Sequence, residues 1–122
     1  MAQIKREAAE KRGRTAELIA LWYLRCKGYR LLARRFKAYQ GEVDLIMRKG
    51  QTTAFIEVKA RHSIDAAVIA VTPRQAKRIA SAAATWMARD AVANASFCRF
   101  DIVAVPSYLW PTHIENAFYG DR

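Results

Sequence analysis

The stretch GEVDLIMRKGQTTAFIEVKAR, residues 41–61, constrains the fold of this chain more than any other part of its sequence. It contains two apolar runs on either side of a turn at Gly50 and Gln51, and this pattern is typical of a β-hairpin. A two-residue turn at these positions places Asp44 opposite Glu57 on the neighbouring strand. Because side chains alternate between the two faces of a strand, a slip of one residue would move these carboxylates to opposite faces.

The hairpin carries charges at positions where a half-buried strand ordinarily has Thr, Val or Tyr. The predicted register brings Asp44 within about 5 Å of Glu57, and Lys59 shares the face of Glu57. Facing carboxylates destabilise a sheet unless a cation lies between them, and Mg²⁺ is a hard cation that suits such oxygens. The spacing alone also allows a solvent-exposed polar face with an ordinary Glu57–Lys59 ion pair. The apolar side chains of the other face are predicted to pack against a helix: Val43, Leu45, Met47, Ile56 and Val58.

The rest of the chain predicts one α/β domain with a mixed sheet over residues 1–122. The predicted elements are, in order, a possible flexible basic arm over 1–12, a helix over 14–27, a strand over 29–36, the hairpin, a loop or short strand over 62–72, a helix from Pro73, and a strand over 96–105. Thr72 is the predicted N-cap of the second helix, and Gly28 ends the first. Asp101 in the last strand is predicted to lie near an exposed end or to pair with an arginine.

Charge indicates the kind of partner. The 122 residues include 21 Lys and Arg against 11 Asp and Glu, and residues 1–37 alone hold eleven basic and three acidic side chains. A basic surface of this kind attracts polyanions, of which nucleic acid, as DNA or RNA, is the usual one. Anionic lipid, or no polyanion at all, are the alternatives. The candidate phosphate contacts are Arg14, Arg34, Arg35, Lys37, Arg61, Arg74, Lys77 and Arg78.

Several features predict a cytoplasmic protein without a membrane span. The N-terminal segment has charges but no apolar core of a signal peptide. The longest uncharged stretch, residues 102–114, contains two prolines and is shorter than the ~20 apolar residues of a membrane helix. The isolated cysteines Cys26 and Cys98 fit a reducing compartment, and the isolated histidines argue against a zinc site.

Glu17 is a further candidate site residue. It lies beside the apolar stripe of the first predicted helix, where an unpaired carboxylate would be costly to bury. A metal ion on the hairpin is one candidate partner, and a helix N-terminal edge or a nearby arginine such as Arg14 is the alternative. The helix does not decide between them.

Six short motifs together resemble the YraN family, a group of uncharacterised bacterial proteins with a nuclease-like fold. They are GRTAE at 13–17, GY at 28–29, GEVDLIM at 41–47, FIEVKAR at 55–61, VTP at 71–73 and RFDIVAV at 99–105. The resemblance extends from about residue 13 to Phe118. The arrangement is also similar to archaeal Holliday-junction resolvases and the wider PD-(D/E)XK superfamily. It implies a restriction-endonuclease-like fold, in which a mixed β-sheet is flanked by helices.

The resemblance also implies roles for individual residues. Asp44, Glu57 and Glu17 would hold Mg²⁺ or Mn²⁺, with the Val58 carbonyl completing the shell and Lys59 as the catalytic lysine. The implied activity is a metal-dependent endonuclease acting on DNA, including branched or otherwise structured DNA. The alternative is a non-catalytic nucleic-acid-binding module that acts with a partner, and a homodimer or protein partner is possible in either case.

The chain departs from the family pattern at two places. Gln75 stands where the helix after VTP usually begins with a lysine, so it is either a catalytic residue near the metal or a surface residue. Residues 62–70 lack the usual glycine-containing pattern, which leaves the shape of the substrate cleft open.

Overall fold

The computed structural model describes residues 2–91, 96–107 and 110–118. The elements in these residues are α1 (Ala2–Cys26), β1 (Arg30–Ala38), β2 (Gly41–Lys49), β3 (Thr52–Lys59), α2 (Ile64–Ala70), α3 (Pro73–Arg89), β4 (Phe97–Ala104) and β5 (Thr112–Ile114). The described part of the chain has no helix that is both long and apolar enough to cross a membrane.

The strands form one mixed sheet in the order β1-β2-β3-β4-β5. Neighbouring strands are antiparallel except for β3 and β4, which run parallel. Parallel neighbours need a long crossover, and α2 and α3 supply it between β3 and β4. This α/β architecture, a mixed sheet flanked by helices, confirms the predicted fold class.

Three elements differ from the sequence prediction. The first helix begins at Ala2 rather than near residue 14, so residues 2–12 are its exposed N-terminal turns. Residues 64–70 form a helix instead of a loop or strand, because the Ser63 side chain accepts a hydrogen bond from the Ala66 N–H and caps it. The short strand β5 was not predicted, since its three residues carry too little pattern. The N-cap at Thr72 is confirmed, as its hydroxyl accepts from the Gln75 N–H.

The helices cover the two faces of the sheet with separate hydrophobic clusters. On one face α1 contributes Ala16, Ala20 and Leu24, which pack with Leu45 and Ile56. On the other face α3 packs Ile79 and Ala83 against the sheet through Val43, Ile46 and Phe55, while α2 packs Ala67 against Ile102 and Ala104. Because β3 and β4 are covered on both sides, their apolar residues run almost without interruption.

One close approach sets the position of α3. A Cβ atom at Gly41, the first residue of β2, would collide with the backbone carbonyl of Arg78. Only glycine lets strand and helix backbones meet there. The contact holds the N-terminal half of α3 beside the start of β2, where the acidic side chains of the hairpin begin.

Candidate active site

The hairpin register is the predicted one. Lys49 pairs with Thr52 and Leu45 pairs with Ile56, but the ladder between β2 and β3 ends at that last pair. One step further along, the Asp44 carboxylate accepts a hydrogen bond from the Val58 backbone N–H at 2.8 Å. A side chain has replaced the main-chain partner, so the two strands separate where the carboxylates lie.

The alternation of β1 and β2 also breaks at this place. Ala33 and Ile46 form one cross-strand pair, and Phe36 and Val43 another, and both pairs pack on the α3 side. Residues that are an odd number of positions apart along a strand ordinarily point to opposite faces of the sheet, so these two pairs would be expected on opposite faces. Val43 was predicted to pack with Leu45 and Met47, and that prediction is wrong because the break intervenes.

Arg35 lies at the centre of the break, between the paired positions that flank Asp44. Its φ of 49° is in the left-handed region. For a residue other than Gly or Asn this conformation costs about 1 kcal/mol, and such strain is concentrated at functional sites.

Glu57 is the centre of a polar cluster on the α3 side of β3. It is 5% exposed. Its Oε2 atom lies 3.2 Å from Lys59 Nζ and accepts a hydrogen bond from the Gln75 side chain. The structure therefore brings the half-buried Gln75 into contact with Glu57.

Burial and the neighbouring Glu57 perturb the ionisation of Asp44. Burial, followed by the charge of Glu57 and a hydrogen bond to it, raises the pKa of Asp44 to about 8. The Val58 N–H and Lys59 act in the opposite direction but do not outweigh these effects. The raised pKa favours the protonated form of Asp44 beside Glu57.

Glu17 has a different partner. Its Oε1 atom accepts a hydrogen bond from Arg35 Nε at 2.9 Å, so the arginine alternative holds, with Arg35 in place of Arg14. Burial raises the pKa of Glu17, and the charge of Asp44 adds to that effect although Arg35 opposes it. The charge of Asp44 therefore acts on Glu17, whereas the hydrogen bond of Glu17 is made with Arg35. Over residues 2–91, 96–107 and 110–118, no group of three or more His, Cys, Asp or Glu side chains is arranged to hold a metal.

A cleft of about 280 Å³ opens over the paired carboxylates. It is lined by Glu42, Asp44, Glu57, Gln75, Arg78 and Ile79. Arg78 reaches it because of the Gly41 contact with its carbonyl. Glu42 lines the cleft too and was not among the predicted site residues, although it shares the hairpin motif.

All eight predicted phosphate-contacting side chains are exposed. Two groups lie on elements that border the cleft: Arg34, Arg35 and Lys37 on β1, and Arg74, Lys77 and Arg78 in the first turns of α3. Arg61 follows β3, and Arg14 lies on α1 one turn before Glu17. Among these positive side chains, Arg78 is the one that lines the acidic cleft.

A second polar cluster lies away from the cleft and was only partly predicted. Asp101 is fully buried, so its expected place near an exposed end is wrong, whereas its pairing with an arginine is confirmed by Arg99 Nη2 at 2.8 Å. His113 Nε2 lies 2.7 Å from the same carboxylate, and the Asn116 N–H donates to it. Burial opposes ionisation, yet these hydrogen bonds lower the pKa of Asp101. His113 had no sequence signal, because it reaches Asp101 through the short strand β5.

Comparison with known proteins agrees with the motifs. The model of the uncharacterised protein family UPF0102, another designation of the YraN family, matches residues 16–105. A UPF0102 protein of Methylorubrum extorquens (strain PA1) is 49% identical over 93% of this chain and 89% of its own length. Similar proteins from Mesorhizobium japonicum and Brucella canis are 46% and 43% identical, over 94% and 93% of this chain and 92% and 90% of their own.

Proposed function

This chain belongs to the uncharacterised protein family UPF0102, and we propose that it is a metal-dependent endonuclease that hydrolyses phosphodiester bonds in DNA. One observation carries the proposal. The Asp44 and Glu57 carboxylates lie together at the point where β2 and β3 separate, and a lysine and a glutamine are bound to Glu57. A purely structural cluster has no need of a second carboxylate there, since Lys59 already balances Glu57.

The donor set fits a hard divalent cation. Asp44 and Glu57 offer carboxylate oxygens, which Mg²⁺ and Mn²⁺ prefer. The charge of Glu57 helps to raise the pKa of Asp44, and a cation between the two groups would offset that repulsion. Asp44 and Glu57 would hold the ion, with the Val58 carbonyl and Glu17 as further ligands. When bound, such an ion supplies a polarised phosphate and a water of lowered pKa.

Lys59 and Gln75 would act on either side of this centre. The Lys59 ammonium is held by Glu57 and is 15% exposed at its side chain, so it keeps donors for a substrate phosphate or the attacking water. A cation aimed at developing negative charge stabilises the transition state more than the ground state. Gln75 fixes the orientation of the Glu57 carboxylate through its side-chain amide.

The surroundings of the cleft favour a nucleic-acid substrate. A cleft of about 280 Å³ has room for a phosphodiester group. Arg78 lines it, and further exposed Arg and Lys side chains lie on β1 and in the first turns of α3. Contacts of this kind position a nucleic-acid backbone without reading its sequence. We expect branched or otherwise structured DNA to be cut, with RNA as the competing substrate.

The test is a panel of plasmid, single-stranded, flap and four-way-junction DNA and matched RNA, each with Mg²⁺, Mn²⁺ or chelator. Wild type should cut in the presence of either metal. Lys59→Met should bind DNA as wild type does and lose cleavage, whereas Lys49→Met, at the turn end of the same hairpin, should cut normally. Equal cleavage by all three proteins would exclude the site.

A binding module without catalysis is the second candidate, and one observation favours it. The third carboxylate, Glu17, is occupied by Arg35 rather than directed into a three-ligand group in the described part of the chain. If wild type cuts nothing with either metal but binds DNA with an affinity that falls steeply as salt rises, this reading replaces the nuclease.

A further inference from the structure

The ion pair between Glu17 and Arg35 connects the candidate metal site to the candidate DNA surface. Glu17 lies on α1 with 14% of its side chain exposed, and Arg35 lies on β1 with 39% exposed. Arg35 occupies the position opposite Asp44 between two regular cross-strand pairs. The same guanidinium therefore adjoins a carboxylate of the site and the solvent in front of it.

We propose that Arg35 couples metal loading to DNA binding: in the metal-free site it pairs with Glu17, and once Glu17 turns to the cation Arg35 binds a substrate phosphate. This inference rests on the proposed function. Planar guanidinium groups bind carboxylates and phosphates with the same donors, so exchange of one anion for the other needs no new chemistry.

Electrostatics favour the exchange. Glu17 lies close enough to Asp44 to interact with its charge, and both Arg35 and Arg34 interact with Glu17. The single negative charge of Glu17 cannot fully neutralise a divalent cation and a guanidinium at the same time. As Glu17 commits its charge to the cation, Arg35 loses its counter-ion and gains affinity for the next available anion, which is the phosphate backbone.

The backbone of Arg35 supports a role beyond general basicity. Its φ of 49° is unfavourable for arginine and is kept although the side chain is partly exposed. Arg34, its neighbour in the same strand, is also exposed and interacts with Glu17 through its charge alone. Arg34 is therefore a matched control with similar charge and location but without the ion pair.

Arg35→Asn is the informative variant, because asparagine tolerates the left-handed backbone and removes only the guanidinium. Fluorescence anisotropy with a four-way junction would measure DNA affinity with Ca²⁺, as a hard cation for the site, and with chelator. Wild type should bind more tightly with Ca²⁺ by at least about fivefold, the lower end of usual coupling strengths. Arg35→Asn should lose that gain. Arg34→Gln should weaken DNA binding by the same factor with Ca²⁺ as with chelator.

A second readout does not involve DNA. Calorimetry with Mn²⁺ should show that Arg35→Asn binds the metal more tightly than wild type, since nothing competes for Glu17, while Arg34→Gln changes little. Weaker Mn²⁺ binding by Arg35→Asn, or equal loss of DNA affinity with and without Ca²⁺, would overturn the coupling and leave the nuclease proposal intact. Absence of DNA binding by wild type in both conditions would instead count against the proposed function.

Discussion

The Asp44 carboxylate accepts a hydrogen bond from the Val58 backbone N–H at 2.8 Å, at the first position beyond the paired part of the β2–β3 ladder. This bond turns the carboxylate toward β3 and holds it beside Glu57. A regular ladder would have used the same N–H for a main-chain bond. The same hydrogen bond therefore accounts both for the separation of the two strands and for the position of Asp44 beside Glu57.

Metal binding should release a proton near neutral pH. Because the pKa of Asp44 is raised to about 8, the carboxylate pair must lose its proton before both groups ligate a cation. Mn²⁺ affinity should rise with pH up to about 8 and level off above it. Calorimetry in buffers of different ionisation enthalpy should detect close to one proton released at pH 7 and almost none at pH 9.5. A pH-independent affinity between 6 and 9 would contradict the raised pKa of Asp44.

Asp44→Asn should stabilise the metal-free protein at alkaline pH. A raised folded-state pKa means that the favourable contribution of Asp44 is complete below its ordinary value of 3.8 and is lost as pH rises through about 8. Asparagine keeps an oxygen for the Val58 N–H but carries no charge. At pH 9 we expect the free energy of unfolding to rise by more than about 1.4 kcal/mol, the equivalent of one pKa unit, because the pKa of Asp44 is raised by more than one unit.

The comparison that checks this is urea unfolding in chelator at pH 5 and pH 9. The difference between variant and wild type should be much larger at pH 9 than at pH 5. Asp65→Asn is a suitable control, as Asp65 is an exposed residue in the first turn of α2. A variant that is equally destabilised at both pH values would show that Asp44 has a structural role only.

Two glycine substitutions should change stability in opposite directions. Gly41→Ala places a methyl group against the Arg78 carbonyl and should destabilise the protein by about 3 kcal/mol, because backbone must move to accommodate it. Gly13→Ala meets no atom within 4 Å and lies inside α1, so it should stabilise by ~0.5–1 kcal/mol. Thermal unfolding followed by circular dichroism would measure both. A tolerated Gly41→Ala would mean that α3 is not held against β2 as described.

Asp101→Asn should be strongly destabilising. It removes the charge that balances Arg99 in a buried site, and breaking such a pair costs about 3–5 kcal/mol. The lowered pKa of Asp101 means that its contribution is present above the ordinary value of 3.8 and is lost as pH falls through the folded-state pKa. Chemical unfolding at pH 7 and pH 3 should therefore show a smaller difference between variant and wild type in acid.

Glu115→Gln provides the control for Asp101. Glu115 also pairs with Arg99, at 3.7 Å, but 56% of its side chain is exposed. Exposed pairs contribute about 0–1 kcal/mol, so this variant should remain close to wild type. Similar losses of stability from both substitutions would show that the buried Asp101 contributes no more than the exposed Glu115 as a partner of Arg99.

The hairpin and its acidic pair could be predicted from the sequence because they depend on local rules. A two-residue turn and the alternation of a strand determine which residues face each other, and Asp44 and Glu57 followed directly. The N-cap at Thr72 and the helix end at Gly28 are local in the same sense, since each depends on residues within one turn. Family membership followed from the same short motifs.

Tertiary structure alone decided which long-range partner each polar group obtained. The sequence left more than one candidate partner for Glu17, and only the docking of α1 beside β1 selected Arg35. Gln75 reached Glu57 because Gly41 lets α3 lie against β2, and His113 reached Asp101 because β5 closes on β4. These contacts join residues 12 to 18 positions apart. Spacing along the chain does not determine such distances, because they depend on how helices and strands pack around a shared core.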